Sequence, residues 1–299
     1  MPDGYADRVP IAPTDLRPTQ DLTVWVNGTR YADPSQATVA ATDHGLVVGD
    51  GVFEATRVSR AGAFALGRHL DRLSRSAAAL DLPAPDHSLV REGVAAVLEG
   101  RAYDLGKLRI TYTGGLGPLG SQAAYGPTTL IVAAAPMEPP SPTGSLVTSP
   151  WRRNEYGALT GVKSTSYAEN VRGLAYAATM GATEALFLNT AGHVCEGTGT
   201  NLFCVFGDRV ITPPLASGPL AGITRELLLE WAAAAEFVIE QRDLTLPEAL
   251  AADEVFITSA LRDLQAVTRW DAVAFGPHRP VTQRLAALFT ERAGASTDP

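Results

Sequence analysis

A rare amine and a carboxylate that follows it are the residues of this sequence best placed to do covalent chemistry. Of the 24 basic residues, 22 are arginine and only Lys107 and Lys163 are lysine. Arginine keeps its proton and forms no imine, whereas a desolvated lysine can lose its proton and attack a carbonyl carbon. Lys107 stands at the edge of the alternating run KLRITYT, where a solvated charge is the natural reading. Lys163 opens KSTSYAENVRG, a small and hydroxyl-bearing stretch just ahead of a helix, and is the better candidate.

Three further groups follow in order. Glu196 comes after a TAGH turn, where a carboxylate can keep a heterocyclic nitrogen protonated; a surface glutamate at a strand end is the plainer alternative. In SGPLAGITRELLLEW, Gly218 and Gly222 allow a tight turn into a helix beginning at Thr224. The free N–H groups of Ile223 and Thr224 would then cradle an anion, although a simple capped helix would read the same way. Arg72, in HLDRL, would add a cation, and Tyr167, four residues after Lys163, a phenol; alone, each is as readily a solvated face or core. Together these groups describe a site for a phosphorylated cofactor that carries a carbonyl.

The elements that must position them alternate in kind. TVWVNG predicts a strand entering an Asn27-Gly28 hairpin turn, with the partner strand returning over 30–42. DHGLVVGDGVFEATRV is a glycine-punctuated turn ahead of a strand. Leu70, Leu73, Ala77 and Leu80 share one face of an amphipathic helix, and Asp86 and Gly100 bracket a second. Strands are expected at 108–113, 129–134, 184–188, 201–206, 210–212 and 254–258, and helices at 170–180, 224–235 and 281–293. PMEPPSPT is the strongest linker signal. The reading is α/β of the mixed α+β kind: a loose Pro-rich extension at 1–21, a small domain at 22–135, a linker at 136–145 and a large domain at 146–299.

Composition narrows the partners. The chain has 299 residues, 45% of them hydrophobic, and carries a formal charge of −8. That acidity disfavours a nucleic acid, whose phosphates attract basic patches. No apolar run approaches a membrane span and no leader is evident, so neither membrane association nor export is expected. Cys195 and Cys204 have no metal-ligand spacing and offer no disulfide framework, which fits a reducing cytoplasm.

Taken in sequence, HLDRL, KSTSYAENVRG, EGTGTNLF and LAGITREL resemble the class IV (fold type IV) pyridoxal-phosphate aminotransferases. That family includes the branched-chain and D-amino-acid aminotransferases and 4-amino-4-deoxychorismate lyase. The resemblance spans about 24–288 and is most specific over 163–225. It implies a two-domain fold type IV enzyme with pyridoxal 5'-phosphate as cofactor, acting as a homodimer on an amino acid and a 2-oxo acid. Lys163 would carry the cofactor as a Schiff base and shuttle the proton, Tyr167 would meet the phenolic oxygen, and Glu196 the pyridine nitrogen. Arg72 would bind the phosphate with Ile223 and Thr224, and Leu220 would pack on the ring. Two reactions stay open: amino transfer, with aliphatic or branched-chain substrates favoured and chirality unsettled, and release of pyruvate from aminodeoxychorismate.

Two positions depart from the family pattern. Gly114 stands where many relatives have a substrate-binding arginine, and Ala260 where a second hydroxyl often meets the phosphate, leaving Thr258 or Ser259 to substitute. Arg57 is then the candidate for a substrate carboxylate, with a buried ion pair as the equal alternative. Phe53 and Tyr112 are candidates to line the pocket, or simply core.

Overall fold

The computed structural model describes residues 21–299, so the extension expected over 1–21 lies outside the described residues except for Asp21. Two sheets organise the chain. In the first, β1 (Thr23–Val26) and β2 (Thr29–Tyr31) form the predicted hairpin, with Asn27 at φ 45° and Gly28 at φ 94°, the left-handed pair that a type I′ turn needs. The expected return strand is cut to three residues. Asp33 accepts from Ser35 N–H and Pro34 opens a 3-10 turn, a residue with no N–H to give a ladder.

A short helix α1 (His44–Val47) leads into β3 (Gly51–Ser59) and β4 (Gly62–Ala63). Helices α2 (Leu66–Ala79) and α3 (His87–Leu98) precede β5 (Gly106–Thr113) and β6 (Thr129–Pro136). Strand order is β2-β1-β6-β5-β3-β4. Leu70, Leu73 and Ala77 of α2 and Val90, Val94 and Val97 of α3 close over one face, meeting Leu108, Ile110 and Tyr112 of β5. By the two-residue period of a strand, Lys107, Arg109 and Thr111 project from the other face.

Residues 137–142 connect to the second sheet. Its strands are β7 (Thr143–Arg153), β8 (Glu184–Asn189), β9 (Val194–Gly197), β10 (Asn201–Phe206), β11 (Arg209–Thr212), β12 (Ile239–Gln241), β13 (Glu254–Ser259), β14 (Asp263–Trp270) and β15 (Val273–Ala274). They run β12-β11-β10-β13-β14-β7-β8-β9, with β15 on β14. β7 pairs parallel with β8 and β14. Around this sheet lie α4 (Ala168–Thr179), α5 (Ile223–Ala234), α6 (Leu246–Leu250) and α7 (Pro280–Ala295). Phe203 and Phe256 stack at 4.8 Å between ring centres in a core shared by α5 and α7. Parallel and antiparallel pairing in one nine-stranded sheet, with helices packed on it, gives the mixed α/β class expected. β7 and β14 carried no strand prediction, and in β7 the pairing with β8 slips between Thr148 and Arg152, around Pro150.

Candidate active site

A cavity of about 1250 Å³ is lined by residues of both sheets. Lys163 is fixed there by its backbone: its carbonyl accepts from Phe53 N–H at 2.9 Å, and Thr165 N–H donates to Gly51 at 2.8 Å. The segment thus adds a short bridge beside β3, and Lys163 N–H reaches Ser76 Oγ on α2. Its Nζ lies 4.3 Å from the centre of the Phe53 ring. Burial, then the nearby Arg72 charge, pull the Lys163 amine down to about 8. An amine so placed is largely protonated at neutral pH yet much closer to its free base than an exposed lysine.

Glu196 lies on β9 in the same cavity wall. One oxygen accepts from Leu220 N–H at 2.9 Å and the other stands 3.3 Å from Arg153 Nε. Burial raises its pKa against the opposing pull of Arg153 and the Leu220 N–H. Arg153 is itself held by Glu169 at 2.8 Å and rests on the Phe187 ring. Tyr167 donates its hydroxyl to Thr198 O at 3.1 Å and meets Phe53 edge to face, and burial pushes its phenol upward.

The anion cradle forms where the glycines enter α5. Gly222 occupies the N-cap with no side-chain cap, which leaves the first-turn N–H groups of Ile223 and Thr224 without helical acceptors. A Cβ on Gly222 would fall 2.0 Å from Asn201 Oδ1, and Asn201 in turn donates to Leu220 O. Leu220, Ile223, Thr224, Ser259 and Ala260 all line the cavity. Thr258 Oγ1 and Ser259 Oγ are buried in this wall without a hydrogen-bond partner. Two unpartnered hydroxyls, a bare helix N-terminus and Arg72 make a donor set that fits a phosphate monoester.

Arg72 enters from α2 with its geometry fixed. Glu54 on β3 accepts from Nε at 2.8 Å and from Nη2 at 2.6 Å, and Ala221 O accepts from Nη1 at 2.8 Å. His69 donates to the same carboxylate at 2.6 Å. Burial drives the Glu54 carboxyl up, but Arg72 and His69 more than offset it and hold the group at about 2.

Not all the predicted residues meet here. Tyr112 turns to the opposite face of β5 and is buried in the core of the first sheet, so it does not line the cavity. Arg57 is also absent from that wall: it forms an ion pair with Asp263 and stacks 3.8 Å over Phe64. Gly114 does not line it either, and the cation sought after the strand lies within it. Arg109, on the exposed face of β5, sits 3.9 Å over the Phe53 ring and lines the cavity with Lys107. Arg72, Arg153 and Arg262 in the same wall each have a carboxylate partner, Glu54, Glu169 and Glu184. Lys107 and Arg109 have none among the described residues. Strand alternation in KLRITYT was the signal that could have found Arg109; Glu54, Arg153 and Glu184 gave no local signal.

Comparison with known proteins agrees with this geometry. Residues 51–270 match the family model for amino-transferase class IV. The chain is 32% identical over 278 residues to a protein of Methanocaldococcus jannaschii named "Putative branched-chain-amino-acid aminotransferase", covering 90% of this chain and 96% of that one. It is 28% identical to a bifunctional aminodeoxychorismate lyase / D-amino acid transaminase of Mycobacterium tuberculosis, over 85% of this chain and 93% of that one. The PLP-bound structure of a hypothetical aminotransferase from Mycobacterium tuberculosis superposes with a TM-score of 0.81 at 26% identity, covering 93% of this chain and 100% of that chain. With family model, relatives and fold in agreement, the chain belongs to the class IV aminotransferases, fold type IV enzymes that depend on pyridoxal 5'-phosphate.

Proposed function

We propose that this enzyme moves an amino group between an aliphatic amino acid, branched-chain type favoured, and a 2-oxo acid. One observation carries the reading. Lys163 Nζ and the Arg109 guanidinium both lie against the Phe53 ring, at 4.3 and 3.9 Å, and Arg109 has no carboxylate partner among the described residues. A cation with only the Thr111 hydroxyl and the Phe53 ring as partners, and no carboxylate, beside the reactive amine suits a substrate carboxylate, and Phe53, Leu220 and Ala260 offer apolar wall for an aliphatic side chain.

The residues then take these roles. Pyridoxal phosphate, when bound, supplies an electron sink for the charge left on the substrate carbon. Arg72, Ile223, Thr224 and Ser259 hold its phosphate, with Thr258 adjacent, and Leu220 packs on its ring. Tyr167 contacts its phenolic oxygen. Glu196 holds a proton at the pyridine nitrogen, with Arg153 and Leu220 N–H favouring its carboxylate form against burial. Lys163 would take the proton from the substrate α-carbon and return it two atoms away, across the intervening nitrogen, a transfer that positioning makes fast. Arg109, with Lys107 beside it, holds the carboxylate.

The reading includes a small domain on the first sheet, a large one on the second, and a homodimer. Leu46, Val48, Leu159, Val171 and Leu174 line the cavity yet lie partly or largely open to solvent, an apolar rim that a second copy would cover. Cytoplasm is the assigned compartment, in keeping with the unpaired, buried Cys195 and Cys204. No helix among the described residues is long and apolar enough to cross a membrane.

The test is incubation of the protein with L- and D-amino acids and no oxo acid. Conversion of the bound cofactor to its amine form, seen by absorbance, supports amino transfer and reports chirality. Pyruvate released from aminodeoxychorismate, with no amine form from any amino acid, overturns it in favour of the lyase reaction.

A further inference from the structure

The two halves of the phosphate cradle come from different parts of the fold. Arg72 belongs to α2, whose apolar stripe of Leu66, Leu70, Leu73 and Ala77 packs into the core of the first sheet. Ile223 and Thr224 begin α5, whose apolar residues belong to a separate core with Phe256 and Phe289. Phe64 and Ala65, just ahead of α2, join the α5 core, but the apolar stripe of α2 itself does not, so hydrophobic burial along the helix does not by itself set the distance from Arg72 to the end of α5.

Polar contacts bridge that gap. Arg68 lies one turn before Arg72 on α2, on the same side of the helix. Its Nη1 donates to Glu226 and, at 2.8 Å, to Glu230 Oε1, while Nη2 reaches Glu230 Oε2 at 2.8 Å. Both acids lie on α5, the first only two residues beyond Thr224. Arg68 Nε donates to Pro299 O at 2.9 Å. The neighbouring Gly67 N–H, at a helix start with no side-chain cap of its own, donates to Asp298 Oδ1 at 2.7 Å. An isolated surface ion pair contributes little, but a forked arginine shared by two carboxylates and a carbonyl is the networked, bidentate exception. One turn on, Arg72 repeats the bridge through Ala221 O.

We propose that Arg68 is a positioning residue for cofactor phosphate: by tying α2 to Glu226 and Glu230 it sets Arg72 against the N-terminus of α5. It does not line the cavity, so its effect passes through Arg72 and the helix end. The assignment rests on the cofactor reading of this site. It predicts a defect specific to the phosphate group, because Lys163 and Glu196 are held by other contacts.

The experiment uses full-length protein freed of cofactor and titrated with pyridoxal 5'-phosphate and with pyridoxal, which lacks the phosphate. Imine absorbance reports both aldehydes, and inorganic phosphate serves as competitor. Arg68→Glu should weaken pyridoxal 5'-phosphate and inorganic phosphate about five- to tenfold and leave pyridoxal unchanged. Adding Glu230→Arg should restore binding to within about threefold of wild type, since a direct partner swap rebuilds the pair. Arg68→Lys, keeping the charge but losing the fork, should fall between. Equal loss of both aldehydes would mean general damage to the fold, and unchanged phosphate affinity or failure of the swap would mean no positioning role. Each overturns the assignment alone, whereas wild-type protein that bound neither aldehyde would overturn the cofactor reading itself.

Discussion

Arg153 Nε stands 3.3 Å from Glu196 Oε1, while Leu220 N–H donates to the other carboxylate oxygen at 2.9 Å. Burial pushes this carboxyl up, and the Arg153 charge and the Leu220 N–H are the main restraint on it. Replacing Arg153 by Met removes the larger restraint. The acid limb of the kcat–pH profile should then move upward, with kcat falling on the acid side and recovering at higher pH. An unmoved limb would separate Glu196 from the rate.

Lys163, drawn down to about 8 by burial and by Arg72, should react as the free amine at lower pH than an exposed lysine. The rate of imine formation between cofactor-free protein and pyridoxal 5'-phosphate should rise with pH and level off above about 8. Lys163→Ala should give no borohydride-stable adduct at that position and lose about 10²-fold or more in kcat.

Glu54 is the carboxyl whose ionisation contributes most clearly to folding. Held at about 2 in the folded protein against an ordinary value of 4.5, it stabilises the native state fully above pH 4.5. That contribution drains away as pH falls toward 2. Denaturant unfolding should show Glu54→Gln less stable by about 3–5 kcal/mol at pH 7, because Arg72 and His69 lose their buried counter-charge. The gap should narrow steadily between pH 4.5 and 2.

Arg109→Ala should raise KM for the 2-oxo acid about 10- to 100-fold, the cost of a lost charged hydrogen bond, while Arg57→Ala should leave KM alone and act on thermal stability through Asp263. Parallel steady-state kinetics and melting curves on the two variants separate the roles. A KM shift in Arg57→Ala with none in Arg109→Ala would reverse them.

How much of this could be read from the chain depends on how far each signal travels. Lys163 stood out because lysine is scarce, and Gly222 with Thr224 because a helix start is a local event. Asn27-Gly28 announced its hairpin for the same reason. Alternation placed Arg109 on the polar face of its strand but not in the site, because such a face looks the same whether it meets water or a cavity built by residues elsewhere in sequence. Glu54 and Arg72 are separated by 18 residues, and Arg68 and Glu230 by 162, so no spacing rule links them. β7 was masked by Pro150 and by the proline-rich stretch just before it.

The main chain of Lys163 is bonded to β3 of the first sheet, whereas Glu196 rides on β9 of the second. The amine and the acid are therefore anchored on different sheets, and the candidate site spans the seam between them. A small shift of β3 against β9 would change the reach of the amine without unfolding any element. Loosening that seam should slow turnover before it lowers the melting temperature, and the Phe53 and Thr165 amides, which close the seam, are where deuterium uptake would register it first.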